Sequence, residues 1–387
     1  MTDRAPLRVA FPHISRSRWA GGYNYQSNLF AALARYCPAE IAPIVFAGIN
    51  DDSAELAALA QIPGVDVVQS RVFDRRRSGL VAALAFGLDQ AAATEFRTKN
   101  IDLVFENARF YGWRLPFPAI AWLPDFQHRQ LPHLFSSPAR WRRDLGFRVQ
   151  IASGRRILLS SETAFRDFQK FYPSSGGNVS VVRFATQPAL DLLATNPSNV
   201  VMKYGLPQKY FYLPNQFWRH KNHQVVLDAL AILKKRGFEV VVAATGGTQD
   251  PREPDYFKSI MRQAEAQGLE TNFRYLGMIP ADHVYALMRT STALINPSRF
   301  EGWSTTVEEA KSFGAPMILS DIDVHREQTD GTSRYFGVDD PEALANHLSD
   351  AAQAAEPVVP RDLLPNLDER VRAFATEFAN AAKSAMP

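Results

Sequence analysis

The sequence predicts an α/β protein made of two doubly wound parallel-sheet units. Three observations carry that reading. Short apolar runs alternate with amphipathic helical stretches, the pattern of parallel strands covered by helices. The strand series halts near residue 200 and then restarts. Finally, 387 residues exceed the ~150 of a typical single domain, so two domains are the natural count.

The first series opens with "LRVAFPH" (Leu7–His13) as a strand, and "AGGYNYQSNLFAALARY" follows as a glycine turn leading into a helix. Further strands are expected at Ile41–Ala47, Val65–Ser70, Ile101–Asn107, Ala119–Asp125, Arg156–Ser161 and Val179–Ala185. Around Leu190–Leu206 the chain turns polar, with scattered Asn and Pro, and a boundary is expected there. This gives a first domain over 1–195. The restart begins with the strand Tyr210–Asn215, then a helix over His223–Gly237 with apolar spacing and a terminal glycine. "FEVVVAATGG", "FRYLG", "TALINPS" and "APMILSD" supply the next strands, placing a second domain at 196–365. The closing stretch, 366–387, reads as a helix with no strand after it, expected to pack back toward the first domain.

Composition narrows the class. A hydrophobic fraction of 46% with 21% charged residues supports an ample core and excludes wholesale disorder. One cysteine, Cys37, excludes an intramolecular disulfide and a cysteine-based zinc site, and suits a reducing cytosol. The first residues lack the apolar core of a secretory signal, and no apolar run approaches the ~20 residues of a spanning helix. A soluble, cytoplasmic protein is expected. Net charge is only +3, but arginines cluster in the first half, at Arg75–Arg77, Arg140–Arg148, Arg155 and Arg156. Solvated helix faces are the plainer explanation. The functional one is peripheral contact with anionic lipid at the inner face of a membrane. Nucleic acid is not expected, because no nucleic-acid motif accompanies the charge.

Open parallel sheets bind ligands beyond the carboxyl ends of their strands. Gly21 and Gly22 follow the first strand, where bare backbone amides can approach an oxygen-rich ligand, although a double glycine is equally a tight turn. Asp125 and His128 end a later strand and could orient sugar hydroxyls or a developing charge; such a set is more often a turn. In the second series Arg219, His220 and Lys221 sit between a strand and a helix N-terminus, which together favour an anion, a diphosphate above all. Gly246 and Gly247 end the next strand with open amides, and Gly277, Met278 and Ile279 could hold a flat base.

The stretch "NPSRFEGWSTTVEEAKSFGAP" (Asn296–Pro316) then carries two acids, Glu301 and Glu309, eight positions apart. Gly302 stands beside the first, and Ser304, Thr305 and Thr306 follow. Two helical turns would set both acids on one side. Helix decoration by the macrodipole is the bland reading, and a grip on a sugar and a ribose is the sharp one.

These residues resemble the retaining glycosyltransferases of family 4, which have the GT-B fold of two Rossmann-like domains facing across a cleft. The likeness rests on "PSRFEGWSTTVEEAKSFGAPMILSDIDVHREQ", "LPNQFWRHKNHQVVLDALAIL", "GGYNYQSNLFAAL" and "IAWLPDFQHRQLPHLFS", spanning Gly21 to Gln328. The resemblance implies that Glu301 contacts the donor sugar, Glu309 the nucleotide ribose, and Lys221 the diphosphate. Gly22 would meet the phosphate, and His128 or Asp125 would face the transferring sugar. Gln216 replaces a basic residue common in the family, so Arg219 could substitute for it, and Trp303–Ser304 replaces the usual pair after "EG".

The implied activity is metal-independent, retaining transfer from a nucleotide-sugar to a glycan or lipid-linked acceptor, in surface polysaccharide synthesis. The nucleotide-sugar is a co-substrate, and no cofactor is implied. "DID" at Asp321–Asp323 mimics a metal motif of another fold and is read as structural. A nucleotide-sugar epimerase, or a non-catalytic nucleotide-sugar or glycan-binding protein of the same fold, is the alternative.

Overall fold

A computed structural model describes residues 5–74, 76–107, 109–173, 178–354 and 359–387. Of the expected basic cluster Arg75–Arg77, Arg75 lies outside the described residues, as do the side chains of Arg76 and Arg77. The chain divides into two compact units, Met1–Ala185 with Asp368–Pro387, and Thr186–Leu367.

Among the described residues the first unit holds seven strands: β1 Leu7–Pro12, β2 Ile41–Ala47, β3 Asp66–Gln69, β4 Leu103–Asn107, β5 Ala119–Trp122, β6 Arg156–Leu159 and β7 Val179–Val181. All pairings are parallel, in the order β3-β2-β1-β4-β5-β6-β7. The second unit holds β8 Phe211–Leu213, β9 Val242–Ala244, β10 Phe273–Tyr275, β11 Ala293–Asn296, β12 Met317–Ser320 and β13 Arg334–Phe336. Its order is β10-β9-β8-β11-β12-β13, again parallel. Each sheet reverses its winding beside its first strand, at β1/β4 and at β8/β11. That reversal opens a crevice at the carboxyl ends of the strands, where ligands of open sheets bind.

The strands are apolar along most of their length because helices cover both faces. Val9, Phe11, Val45, Phe105 and Ile120 are fully buried in the first sheet, as are Tyr212, Leu213, Leu294 and Ile295 in the second. The helix His223–Lys235 buries Val225, Val226, Ala229, Leu230 and Leu233, the stripe expected of a helix lying on a sheet. The closing helix, Leu367–Ser384, buries Val371, Phe374, Ala375, Phe378 and Ala382. It lies on the first sheet: Phe378 packs 5.8 Å from Phe11 and 5.9 Å from Phe105, and Glu377 accepts a 3.0 Å bond from the Arg183 amide. Burying one such phenylalanine contributes roughly 2–3 kcal/mol.

Three local features differ from the sequence reading. β13 was not foreseen, because Arg334–Phe336 is a short edge strand with a charged first residue and no apolar run. The polar stretch after Leu190 contains a helix, Pro197–Lys203, with Asn196 as its cap and Pro197 at the first helical position. Gly21 and Gly22 belong to the first turn of the helix Ala20–Tyr36 rather than to a turn before it.

Candidate active site

In the second unit the switch point is wired by polar side chains. Asn215, just past β8, donates to the Asn296 Oδ1 at the end of β11 at 3.1 Å. That same oxygen accepts from Ser298 Oγ at 2.7 Å, and the Asn296 amide nitrogen reaches Ser304 Oγ at 2.9 Å and Thr306 Oγ1 at 3.2 Å. Ser298 Oγ also lies 2.7 Å from Glu301 Oε1, and Lys221 Nζ donates to that oxygen at 2.6 Å. Residues 80 positions apart in sequence therefore meet across the two strand ends.

Burial alone would raise the Glu301 pKa, but the Lys221 ammonium, with His220 and His325 near, draws the carboxyl down to about 2. Glu301 is therefore ionised at neutral pH. Its loop is fixed from two sides. Asn222 takes a left-handed backbone (φ 57°), which asparagine tolerates, and its amide reaches Pro297 O at 3.2 Å and Val338 O at 2.8 Å. Gln328 clamps Ser304 at both ends, accepting from its backbone N–H at 2.9 Å and donating to its carbonyl at 3.0 Å.

Ser304 caps the helix Thr305–Ser312, with half-exposed Thr305 as its first residue. Glu301 thus lies in the turn before the helix, so the helical spacing expected for the two acids does not apply. Glu309 sits within the helix and meets a different partner, Tyr285, whose hydroxyl donates at 3.5 Å. Burial raises Glu309 to about 7, the Tyr285 bond offsetting only part of the desolvation. The two acids hold opposite protonation tendencies.

The glycine-ended strands come together beside this network. Gly246 (φ 137°) donates its amide to Gly277 O at 3.3 Å, and a Cβ on Gly246 would stand 2.4 Å from Asn215 O. Gln216 accepts from the Gly247 amide at 2.8 Å, the use this chain makes of the position where a basic residue was expected. Gly277 (φ 86°) has open space where a Cβ would stand, next to the exposed Met278 and the half-buried Ile279. Gly302 and Trp303 are half-buried beside Glu301.

Arg219 does not join Lys221. Its guanidinium turns to Glu253 at 2.8 and 3.1 Å, because the one-turn 3-10 helix Arg219–Lys221 splays the two cations. His223, stacked 4.0 Å over Phe217, is held neutral by burial, its pKa taken down to about 3. Asp321 of the "DID" stretch pairs with Arg326 at 2.5 and 2.7 Å.

In the first unit, the Trp19 indole lies against Gly22, where a Cβ would fall 2.4 Å from the ring. Trp19 stacks on Trp122 at 5.1 Å, and Trp122 on Tyr25 at 4.0 Å, so an aromatic pile occupies the carboxyl ends of β1 and β5. Asp125 caps the Gln127 amide at 2.9 Å and pairs with Arg143 at 2.8 Å. His128 is buried, edge-on to Phe147 at 5.4 Å, with neither ring nitrogen hydrogen-bonded among the described residues. Burial, helped by Arg143, takes its pKa down to about 4, so it is neutral. It does not bond to Asp125.

Part of the expected basic face is engaged within the unit. Arg155 is buried against Glu106 at 3.1 Å, Arg156 reaches Ser180 Oγ at 3.1 Å, and Arg148 pairs with Asp144 at 2.8 Å. Among the described residues no helix is long and apolar enough to cross a membrane.

Asn215, Asn296, Ser298, Gln328 and Asn222 were not foreseen. For Asn215, Asn296 and Ser298 the one sequence signal is a polar residue closing an apolar run, in "YFYLPN" and "TALINPS"; Asn222 and Gln328 carry none.

Comparison with known proteins converges on the same stretch. Residues 203–357 match the model of the glycosyl transferases group 1 family. Over 108 residues the chain is 32% identical to a protein of Bacillus subtilis (strain 168) named as the glycosyltransferase EpsF, a match covering 27% of this chain and 26% of that relative. The fold is similar along nearly the whole length to Anabaena HepE, solved in complex with UDP and glucose (TM-score 0.65, 17% identity, 98% of both chains). It is also similar to the sucrose-phosphate synthase of Thermosynechococcus elongatus (TM-score 0.63, 14% identity, 99% of this chain and 95% of that one). A glycosyltransferase of lipopolysaccharide biosynthesis, WaaG, matches with a TM-score of 0.59 at 14% identity over 98% of both chains. Residues 203–357 thus carry the likeness to the group 1 glycosyl transferases, and the two parallel-sheet units give the chain the GT-B fold class.

Proposed function

We propose that the protein is a retaining, metal-independent glycosyltransferase that moves a sugar from a nucleoside diphosphate sugar to a glycan or lipid-linked acceptor in surface polysaccharide synthesis. The observation that carries this reading is the Lys221–Glu301 contact at the switch point of the second sheet, inside the family match. An ammonium has three donors, so Lys221 can keep Glu301 and still hold a phosphate oxygen. Glu301, ionised and anchored through Oε1 by Ser298, accepts donor-sugar hydroxyls. Glu309 accepts from the ribose, and the amides at Gly246 and Gly277 border the place of the base.

As the bond between the sugar and the diphosphate breaks, negative charge grows on the departing phosphate. Lys221 and the amides that open the helix His223–Lys235 meet it there. The acceptor hydroxyl attacks from the face the diphosphate leaves and passes its proton to the departing phosphate oxygen, which retains the anomeric configuration. Charge neutralisation by Lys221 makes a metal unnecessary in this scheme. Arg219, turned to Glu253, contributes less than its sequence position suggests.

A thermal-shift panel of UDP-, GDP-, ADP- and dTDP-sugars with their free diphosphates tests the site. Ligand at a hundred times its Kd stabilises the native state by about 2.7 kcal/mol. The HepE complex makes UDP the first base to try. A shift with one base, followed by EDTA-resistant transfer of labelled sugar, is expected. No shift with any base at millimolar ligand overturns the proposal.

A further inference from the structure

His325 belongs to the short helix Asp323–Thr329, the same helix that sends Gln328 to clamp Ser304. Its ring is fully buried, and one nitrogen is fixed: Nδ1 stands 2.9 Å from the Ser320 carbonyl. A carbonyl oxygen can only accept, so Nδ1 carries the hydrogen and Nε2 of the neutral ring is a bare lone pair. Among the described residues Nε2 has no partner. A buried acceptor left open is costly and rare, and beside a ligand site it points to a partner that comes and goes.

Hydrogen bonds tie this ring to Glu301. The Ser320 hydroxyl, 3.2 Å from Nδ1, donates to the Ser298 carbonyl at 2.5 Å, and the Ser298 hydroxyl donates to Glu301 Oε1 at 2.7 Å. The charges around the ring pull in opposite directions. The Glu301 carboxylate favours a proton on it, whereas burial and the Lys221 ammonium oppose one and hold its pKa below the ordinary histidine value. The other charges nearby have partners of their own or face water. On the same helix Arg326 pairs with Asp321 at 2.5 Å, Asp323 is exposed and Glu327 is half-exposed. On the helix Thr305–Ser312 the buried Glu308 holds Lys311 at 3.1 Å and Gln328 at 3.3 Å. Tyr335 on β13 meets Thr329, and His220 accepts from Arg252 at 3.3 Å.

A diphosphate at Lys221 changes that balance in two ways. It brings negative charge toward the ring, and it divides the ammonium that Glu301 otherwise holds. Both changes favour a proton on Nε2. We infer that His325 is a positioning residue of the donor site, which takes a proton from solvent on Nε2 when a nucleotide sugar draws on Lys221 and so keeps the charge of Glu301 balanced. This rests on the reading of the second unit as a nucleotide-sugar site. Uptake occurs where the free ring is neutral and the occupied one is charged, between the depressed value and the ordinary range near about 6.5. The affinity gained is full below that window and lost as pH rises through it, opposite in sign to any titration of Glu309.

The test is titration calorimetry with UDP-glucose, whose doubly esterified diphosphate does not titrate here, at about pH 5.5 in acetate and in MES. GDP-, ADP- and dTDP-glucose follow in turn should it not bind. Glu309→Gln is the parent, so that Glu309 contributes no proton. Heats that differ between the two buffers by a net uptake of about half a proton are expected. His325→Asn keeps a donor in the place of Nδ1 and has nothing in the place of Nε2, and His325→Gln is a second amide that cannot titrate. Both should bind without uptake, about three- to tenfold more weakly than the parent at about pH 5.5 and within about twofold of it at about pH 8. Circular dichroism and melting without ligand check the fold. A loss of affinity equal at both pH values makes His325 a structural residue and overturns the inference. So does uptake that survives in the folded variants or is missing from their parent, while binding itself leaves the transferase reading standing. Failure of all four nucleotide sugars to bind wild type removes that reading, and this inference with it.

Discussion

The two units share one winding, yet they fill the equivalent crevice with opposite chemistry. Beside β8 and β11, amides, hydroxyls, an ammonium and a carboxylate interlock. Beside β1, three stacked rings, one of them the Trp19 indole over Gly22, take the space. Topology thus provides a place for a ligand and leaves the kind of ligand to the residues at the strand ends. A charged, hydrogen-bonded crevice suits a polar anionic donor. The aromatic one offers apolar ring faces, beside the contacts of His13 with Asp51 and Glu55 just past β1.

The sharpest way to break that contrast is Glu301→Gln. The change keeps shape but removes the charge that Lys221 faces, and it should reduce transfer about 100- to 1000-fold. The variant should melt lower for want of the Lys221–Glu301 ion pair, but the rise in melting temperature that UDP alone produces should change little, since the diphosphate still finds Lys221. Unchanged transfer by the variant would reduce Glu301 to a structural partner of the lysine. Asn296→Ala, which cuts the link between the strands, should lower both stability and transfer.

The glycines give the next largest difference. In Gly246→Ala the Cβ would meet the backbone of Asn215 at 2.4 Å in a left-handed conformation, so neither atom can yield cheaply. A loss of about 2–4 kcal/mol in urea unfolding is expected. Gly22→Ala meets the Trp19 side chain instead, and the residue lies in a helix, where alanine is favoured by about 1 kcal/mol. Its net cost should stay within about 1 kcal/mol, with a change in tryptophan fluorescence as the indole moves. Equal losses in both variants would mean that the two crevices are built equally rigidly.

The two acids separate in pH. Glu301 is drawn down to about 2, so the stability it confers is present above the ordinary carboxylate range and lost only as pH falls toward about 2. Glu309 is raised to about 7, so the folded state keeps a proton that the unfolded chain has released. Its contribution is full below the ordinary carboxylate range and disappears as pH rises through about 7, a change of order 1–3 kcal/mol. An ionised Glu309 is also the better acceptor for ribose hydroxyls. Nucleotide affinity should therefore rise a few-fold, up to about tenfold, between about pH 6 and pH 8. Calorimetric titration of wild type and Glu309→Gln checks this, and a slope that survives in the variant assigns the titration elsewhere.

The fold was legible because parallel strands write themselves as apolar runs: Ile41–Ala47 is a strand from end to end as read. β13 escaped because an edge strand of three residues needs no such run. The site was legible in part. Glu301, Glu309 and Lys221 are conspicuous as charges near turns, but no local pattern shows that Lys221 and Glu301 touch across 80 positions while Glu309 goes to Tyr285. Gln328 and Asn222 were invisible for the same reason, since their work is done through partners distant in sequence. Arg155 misled in the opposite sense: in a row of arginines it looks like surface, and it is buried on Glu106.

Arg219 yields the smallest expected effect, and that smallness is informative. Its side chain is 56% exposed, and its pairing with Glu253 at 2.8 Å is of the kind that contributes about 0–1 kcal/mol. Arg219→Ala should leave unfolding free energy within about 0.5 kcal/mol of wild type and weaken nucleotide diphosphate binding no more than about threefold, against a loss of at least about tenfold for Lys221→Ala. The reason is geometric. Lys221 is held into the polar crevice by Glu301, whereas Arg219 would have to leave Glu253 to reach a phosphate. Equal losses in the two variants would show that Arg219 makes that move when the donor arrives, so that the second unit's crevice is completed by the ligand and not preformed like its Asn215–Asn296 core.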